Sequence, residues 1–302
     1  MDTLVNLKAF LSVARTGSFA AAAREMKVAP SVITKRISQI EWRLKTVLFE
    51  RSTRRVSLTA TGLRYLPAVR QAVADMDGLF ADLTEAGQVL QGPIRMKVPS
   101  ALAVKLIGPV LERFQQHYPL VSIELVAMDR SVNPADEGFD MALTLMPDVF
   151  PGVLEEPLCP MPRYVCASPA YLARKGCPAR PLELPQHDIL NFLPTGTVWV
   201  FAGASGALHV QLQPRFNTNE AQLLLSAALA GNGIALLSEY LAMPALKSGE
   251  LESLLTEFPV ANLWLKALIP INRSEVARVQ VLLQWLKSEL KTEPVGDLDA
   301  RK

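Results

Sequence analysis

Pro30-Ser31-Val32-Ile33-Thr34-Lys35-Arg36-Ile37-Ser38-Gln39-Ile40-Glu41-Trp42-Arg43-Leu44 is the stretch on which the fold turns. Ile33, Ile37, Ile40 and Leu44 recur at the spacing of one apolar helix stripe. The opposite face carries Ser31, Thr34, Lys35, Arg36, Ser38 and Gln39. Such a face donates hydrogen bonds to base edges and phosphates, the double task of a helix lying in a major groove. A shorter helix precedes it: Ser18 is a good N-cap, Phe19 to Met26 is alanine-rich, and Lys27-Val28-Ala29 is left as a tight turn. Helix, short turn and polar-faced helix together read as helix-turn-helix.

The next segment, Leu48-Phe49-Glu50-Arg51-Ser52-Thr53-Arg54-Arg55-Val56-Ser57-Leu58-Thr59-Ala60-Thr61-Gly62, extends the reading. Phe49, Val56 and Leu58 alternate as small strands do, and Arg51, Arg54 and Arg55 sit on the turn between them. A hairpin of this kind is a wing that presents guanidinium groups to a phosphate backbone or a minor groove. Upstream, Leu4, Leu7, Phe10, Leu11 and Ala14 predict a first helix that supports the reading helix from behind and ends at Gly17.

The run from Ala20 to Gly62 resembles the winged helix-turn-helix of LysR-type transcriptional regulators. The matching pieces are Ala-Ala-Ala-Arg-Glu at 21–25, Thr-Lys-Arg-Ile at 34–37, Ile-Glu at 40–41, Leu-Phe-Glu-Arg at 48–51 and Leu-Thr-Ala-Thr-Gly at 58–62. Two departures stand out: Ala29-Pro30-Ser31 replaces a common Ser-Gln-Pro, and Lys45 replaces a common glycine. Pro30 suits a first helical position, but Ala29 is a poor cap. A glutamine base contact frequent in the family is also absent, so the resemblance does not extend to the operator sequence.

Charge is distributed accordingly. Residues 1–60 hold eleven Lys and Arg against four Asp and Glu, whereas residues 61–302 hold twenty against twenty-five. A basic head on an acidic body is the footprint of a nucleic-acid module. Cys159, Cys166 and Cys177 form no CxxC pair and read as reduced thiols of a cytoplasmic protein. No run approaches the ~18 apolar residues of a membrane helix, and the N-terminus lacks a signal pattern.

From Thr59 to Leu90 the pattern becomes a heptad seam: Leu66, Val69, Val73, Met76, Phe80 and Leu83. A long helix carrying that seam predicts an intersubunit coiled coil that joins two heads. After a linker at Gln91-Gly92-Pro93, the chain alternates between strand and helix patterns, predicting a mostly parallel α/β body. The resemblance covers about residues 3 to 292. It implies an α/β multidomain protein with an N-terminal winged helix-turn-helix, a long linker helix and a C-terminal two-lobed, periplasmic-binding-protein-like α/β effector domain. The expected boundaries are 1–58, 59–90 and 91–302, with lobe 1 at about 92–163 plus 267–292 and lobe 2 at about 164–266. The charged tail from Glu293 is expected to be disordered.

In such folds small molecules bind between the lobes at strand-to-helix junctions. Ser100, Thr144, Asn217 and Asn219 stand at junctions of that kind, with Ser100 and Asn219 the expected helix caps. No lysine or arginine stands at them. No cofactor and no metal site is read: His117, His187 and His209 are isolated, and Asp136, Glu137 and Asp140 look like a solvated helix edge. Gly231-Asn232-Gly233 lacks the third glycine of a dinucleotide fingerprint. Gly203-Ala204-Ser205-Gly206 is not a nucleophile elbow. The expected partners are double-stranded DNA at an imperfect inverted repeat, a small-molecule effector and the chain itself, as a homodimer or a dimer-of-dimers homotetramer. RNA polymerase is a further partner to expect of a transcription regulator. A solute-binding protein or an enzyme with a similar two-lobed body is the alternative.

Overall fold

The computed structural model describes residues 2–51, 56–84, 90–203 and 206–290; at 51, 71, 74, 75 and 77–84 it describes the backbone alone. Arg54, Arg55, the Arg51, Phe80 and Leu83 side chains, Ala204, Ser205 and the tail from Glu293 therefore lie outside the described residues.

Three helices open the chain: α1 (Thr3–Thr16), α2 (Phe19–Glu25) and α3 (Pro30–Leu44). The Asp2 side chain caps α1, and Gly17 closes it at φ 63°, a left-handed conformation that glycine adopts without a Cβ penalty. Ser18 caps α2 through the Ala21 N–H. Ala29 makes no capping bond to α3, as its side chain requires. Lys45 ends α3 at φ 51°, where the family often has glycine. Phe10, Val13, Ala22, Ala23, Ile33, Ile37 and Ile40 form the head's core with Leu48 and Phe49. Leu44 departs from the expected stripe: it is 53% exposed, because the chain turns away at Lys45 before anything covers it. Strands β1 (Phe49–Arg51) and β2 (Val56–Leu58) pair antiparallel as the wing.

The long helix α4 (Ala60–Thr84) carries Pro67 inside it. Rather than standing free, α4 is engaged at both ends of its span. Leu66 and Val69 pack against the head core. The Pro67 backbone lies beside Gly138 of the body, where an added Cβ would come within 3.1 Å of the Pro67 carbonyl. Val73 is buried within the single chain, whereas Met76 is 40% exposed. Gly62, from the Leu-Thr-Ala-Thr-Gly run, sits under the Leu48 carbonyl and the Leu58 side chain with no room for a Cβ.

The body holds two five-stranded sheets. Lobe 1 has the order β4 (Val121–Ala127), β3 (Gly92–Val98), β5 (Met141–Thr144), β14 (Leu263–Pro270) and β6 (Val153–Met161). Lobe 2 has the order β11 (Pro214–Thr218), β8 (Ile189–Phe192), β12 (Ile234–Ser238), β7 (Arg163–Ala167) and β13 (Glu252–Leu254). A hairpin of β9 (Val198–Gly203) and β10 (Gly206–Gln211) adds to lobe 2. The expectation of mostly parallel sheets is corrected. The β3, β4 and β5 pairings are parallel, but β14 runs antiparallel to both β5 and β6, and β7 runs antiparallel to β12 and β13. The chain passes between lobes at Pro162 and returns between β13 and β14, and strands that arrive from another lobe need no helical crossover. Pro157 and Pro160 obscured β6 in the sequence; as an edge strand it tolerates them. The expected linker at Gly92-Pro93 is the start of β3.

Lobe 1 is closed by a continuous helical run: α5 (Ser100–Leu102), a π-turn at Ala103–Ile107 and α6 (Gly108–His117). Pro109 cannot donate to the turn before it, which accounts for the loosened stretch. The remaining helices are α7 (Pro134–Glu137), α8 (Pro169–Lys175), α9 (Ala221–Leu229), α10 (Glu239–Ser248) and α11 (Ala277–Glu289). Asp140 corrects the solvated-edge reading. It is buried in an ion pair with Arg273 at 3.0 Å and accepts the Arg95 N–H at 2.7 Å, so it locks β3 to the segment before α11.

Gly62→Ala forces a Cβ into backbone and should lower head stability by about 1–3 kcal/mol. Thermal unfolding of the full chain checks this; an unchanged midpoint contradicts the close approach.

Candidate functional site

Two surfaces concentrate chemistry. The first is the outer face of α3. Ser31, Lys35 and Ser38 are exposed, and Thr34 and Arg36 are half-buried. The Thr34 hydroxyl donates to the Pro30 carbonyl at 3.1 Å, a helix-internal bond that leaves its oxygen free to accept. Behind α3, the Asn6 amide of α1 donates to Gln39 at 3.0 Å and fixes the helix rotation. Arg43 donates to Thr3 at 3.1 Å, also toward α1. Glu41 orients the wing: its carboxylate accepts the Leu48 and Phe49 N–H groups at 2.8 and 3.2 Å. The Ile-Glu piece of the motif thus has a structural cause, since the carboxylate satisfies backbone donors where helix gives way to strand. Of the wing arginines, only the Arg51 backbone falls within the described residues.

The second surface is a cavity between the lobes. It is open to solvent, and both lobes contribute to its lining. Lobe 1 supplies Lys97, Pro99, Asp129, Ser131 and Thr144, and lobe 2 supplies Arg163, Phe192 and residues of β12, α9 and α10. Of the four residues singled out in the sequence, Thr144 lines this cavity. Ser100, Asn217 and Asn219 are not among its lining residues.

The expected caps are corrected as well. Pro99, not Ser100, holds the cap position of α5, and the Ser100 N–H donates to Asp129 at 3.1 Å. Glu220, not Asn219, caps α9 through the Gln222 N–H at 2.8 Å. Asn217 accepts from Asn191 at 3.1 Å. Both helix ends are therefore served by the chain's own carboxylates, which removes them as ready anion sites. Cations do stand at the cleft, contrary to the sequence reading. Lys97 is set on β3 by strand alternation: Ile94, Met96 and Val98 face the core, which turns Lys97 to the other side. That alternation, just before Pro99, is the signal that could have found it.

Electrostatics follows from burial. Desolvation holds the Lys97 ammonium below its usual range, and Asp129 and Asp148 pull the other way. Desolvation also lowers Arg163. Tyr240, at the cavity wall, is raised by burial, with Asp129 and Glu220 adding to it. Away from the cleft, burial pushes the Cys166 thiol up to about 12 and raises Cys159, so neither is a ready thiolate. Cys177 is exposed. Gly231 adopts φ 74°, and a Cβ at Gly233 would collide with the Asp188 backbone. Turn geometry and close packing thus account for the Gly-Asn-Gly run.

Comparison with known proteins identifies both domains. Residues 4–63 match the model of the bacterial regulatory helix-turn-helix proteins of the lysR family, and residues 87–291 match the LysR substrate binding domain. The chain belongs to the LysR-type transcriptional regulators: it carries a helix-turn-helix DNA-binding domain and a substrate-binding domain. It is similar to the uncharacterized HTH-type transcriptional regulator YhjC of Escherichia coli K12, with 30% identity over 96% of this chain and 99% of that one. The HTH-type transcriptional activator TtdR of the same strain is 28% identical over 94% of each chain. Among solved structures, the LysR-type regulator CrgA of Neisseria meningitidis matches with a TM-score of 0.62 at 27% identity, covering 95% of this chain and 98% of that one. These relatives are transcriptional regulators. No helix among the described residues is long and apolar enough to cross a membrane.

Glu41→Ala strands two backbone donors and should cost about 1–3 kcal/mol. Chemical unfolding of the full chain reads this; a loss below ~0.5 kcal/mol contradicts the orienting role.

Proposed function

We propose that this regulator reads an imperfect inverted repeat with α3 and the wing, and that a small-molecule effector bound between the two lobes changes how it sits on DNA. Ser31, Thr34, Lys35, Arg36 and Ser38 are the proposed contacts from α3, with Arg51, Arg54 and Arg55 from the wing. The observation that carries this reading is the open polar face of α3, turned away from the head core and held in rotation by Asn6 and Glu41. Thr144 is the proposed effector contact that the cavity supports best.

Self-association belongs to the same proposal. Leu66 and Val69 are engaged within one chain, which leaves α4 other residues for a partner helix. Tyr65, Ala68, Ala72 and Met76 are exposed along one side of α4, and the small alanines permit close helix approach. A dimer through α4 sets two reading helices about one DNA turn apart; pairing of dimers gives a homotetramer. The working units are 1–58, 59–90 and 91–302, the compartment is the cytoplasm, and RNA polymerase is the partner through which an activating response would act. The long family matches weigh against a solute-binding protein or an enzyme.

Lys35→Ala or Arg36→Ala should weaken operator binding by about 1–3 kcal/mol. Fluorescence anisotropy across a salt series separates the roles. A phosphate contact lowers the salt slope for every sequence, and a base contact relaxes specificity at one position. Wild-type affinity and slope in the double variant would exclude α3 as the reading helix.

A further inference from the structure

The cleft contains a cation that the fold does not account for. Lys97 is 3% exposed, yet its side chain reaches the inter-lobe cavity. An ammonium carries three donors and is strongly hydrated in water, so at the cavity wall it can take an acceptor from a ligand. Among the described residues no hydrogen bond or ion pair reaches it; only longer-range charges act on it. Two carboxylates, Asp129 and Asp148, act on it from nearby, and each also accepts a hydrogen bond from another group. Asp129 accepts the Ser100 N–H at 3.1 Å, and Asp148 accepts the Ser131 hydroxyl.

A second cation faces the same space from the other lobe. Arg163 lines the cavity, where Nε and Nη2 donate to the Ala261 carbonyl at 3.1 and 2.7 Å and hold the guanidinium at the wall. Among the described residues its hydrogen-bond acceptor is this neutral carbonyl, so the guanidinium charge is not paired at the wall. Leu145, Met146, Phe192, Leu236, Leu241 and Leu263 make much of the remaining lining hydrocarbon. At the helix end beside it, Asp129 already takes the Ser100 N–H. That combination suits a monoanion better than a phosphate, which demands more donors.

We propose that the cleft takes a small organic carboxylate with an apolar body, and that Lys97 receives its carboxylate. This rests on the reading of the cleft as the effector site. The carboxylate gives the Lys97 ammonium a charged acceptor, and the lobes close on the apolar body.

The test titrates the full-length protein calorimetrically with butyrate through octanoate, benzoate and phenylacetate, each paired with its primary amide. At least one carboxylate should bind, with its amide about a hundredfold weaker. Lys97→Met should bring that carboxylate down to the level of the amide, as expected for removal of a buried charge partner. Lys97→Met should also leave the ligand-free protein at least as stable to heat, because it removes a desolvated charge. Equal binding of carboxylate and amide, unchanged carboxylate binding by Lys97→Met, or no binding by any carboxylate overturns the inference. So does a destabilised Lys97→Met that keeps the carboxylate preference, since the ammonium would then be structural. Ala221→Phe, which fills the cavity from α9, separates the two levels. If it blocks both compound classes while Lys97→Met changes nothing, the cleft reading stands and the carboxylate inference falls. If carboxylates bind and Ala221→Phe does not weaken them, the cleft reading itself falls.

Discussion

The packing of α4 against two bodies at once is the constraint on which the molecule depends. One helix completes the head's core through Leu66 and Val69 and, within the same turns, places Pro67 against Gly138 of lobe 1. Arg70 is buried enough between them that desolvation lowers its pKa, with Arg95 acting in the same direction. A helix packed into the head core and pressed against lobe 1 cannot rotate for one without disturbing the other, because close-packed contacts are not continuously deformable. In the proposed function, this contact is the route by which an effector in the body would act on a DNA-reading surface that it does not touch.

The body is suited to raise such a signal. The chain crosses between its two sheets at Pro162 and between β13 and β14, and Tyr240 of α10 packs against the lobe 1 core. The cleft between them is mostly hydrocarbon with a few charged groups. A ligand changes the balance of two arrangements only through its differential affinity for them; a hundredfold preference corresponds to about 2.7 kcal/mol. In lobe 1 the Asp140–Arg273 pair anchors β3, the strand that carries Lys97, to the segment leading into α11.

Much of this was legible in the sequence, and the reasons are local. Ile33, Ile37 and Ile40 set the period of α3, and Ser18, Gly17 and Pro30 punctuate the helices through short-range chemistry. Helices α7 and α8 each start at a proline after a side-chain cap and end before a glycine, signals that lie within the local sequence. What escaped depends on partners distant in the chain. β6 was hidden by Pro157 and Pro160, which only an edge position excuses. The caps at Ser100 and Asn219 were misassigned because Asp129, 29 residues away, and the neighbouring Glu220 supply the acceptors. Asp140 seemed solvated because Arg273 lies far along the chain. Lys97 was passed over because a lysine in a strand reads as an exposed side chain unless both sheet faces are known to be covered. Leu66 and Val69 read as a seam for another chain because periodicity states that a face is buried, not what buries it.

The claim that α4 couples the body to the head is tested most directly at Arg70, which touches no DNA in this account. Operator affinity of Arg70→Ala should be measured against wild type on an isolated half-site and on the full inverted repeat. The account predicts an unchanged half-site affinity and a several-fold change on the full repeat, since only the spacing of the two heads is altered. Unchanged affinity on both duplexes would mean that the head takes no instruction from the body through this helix.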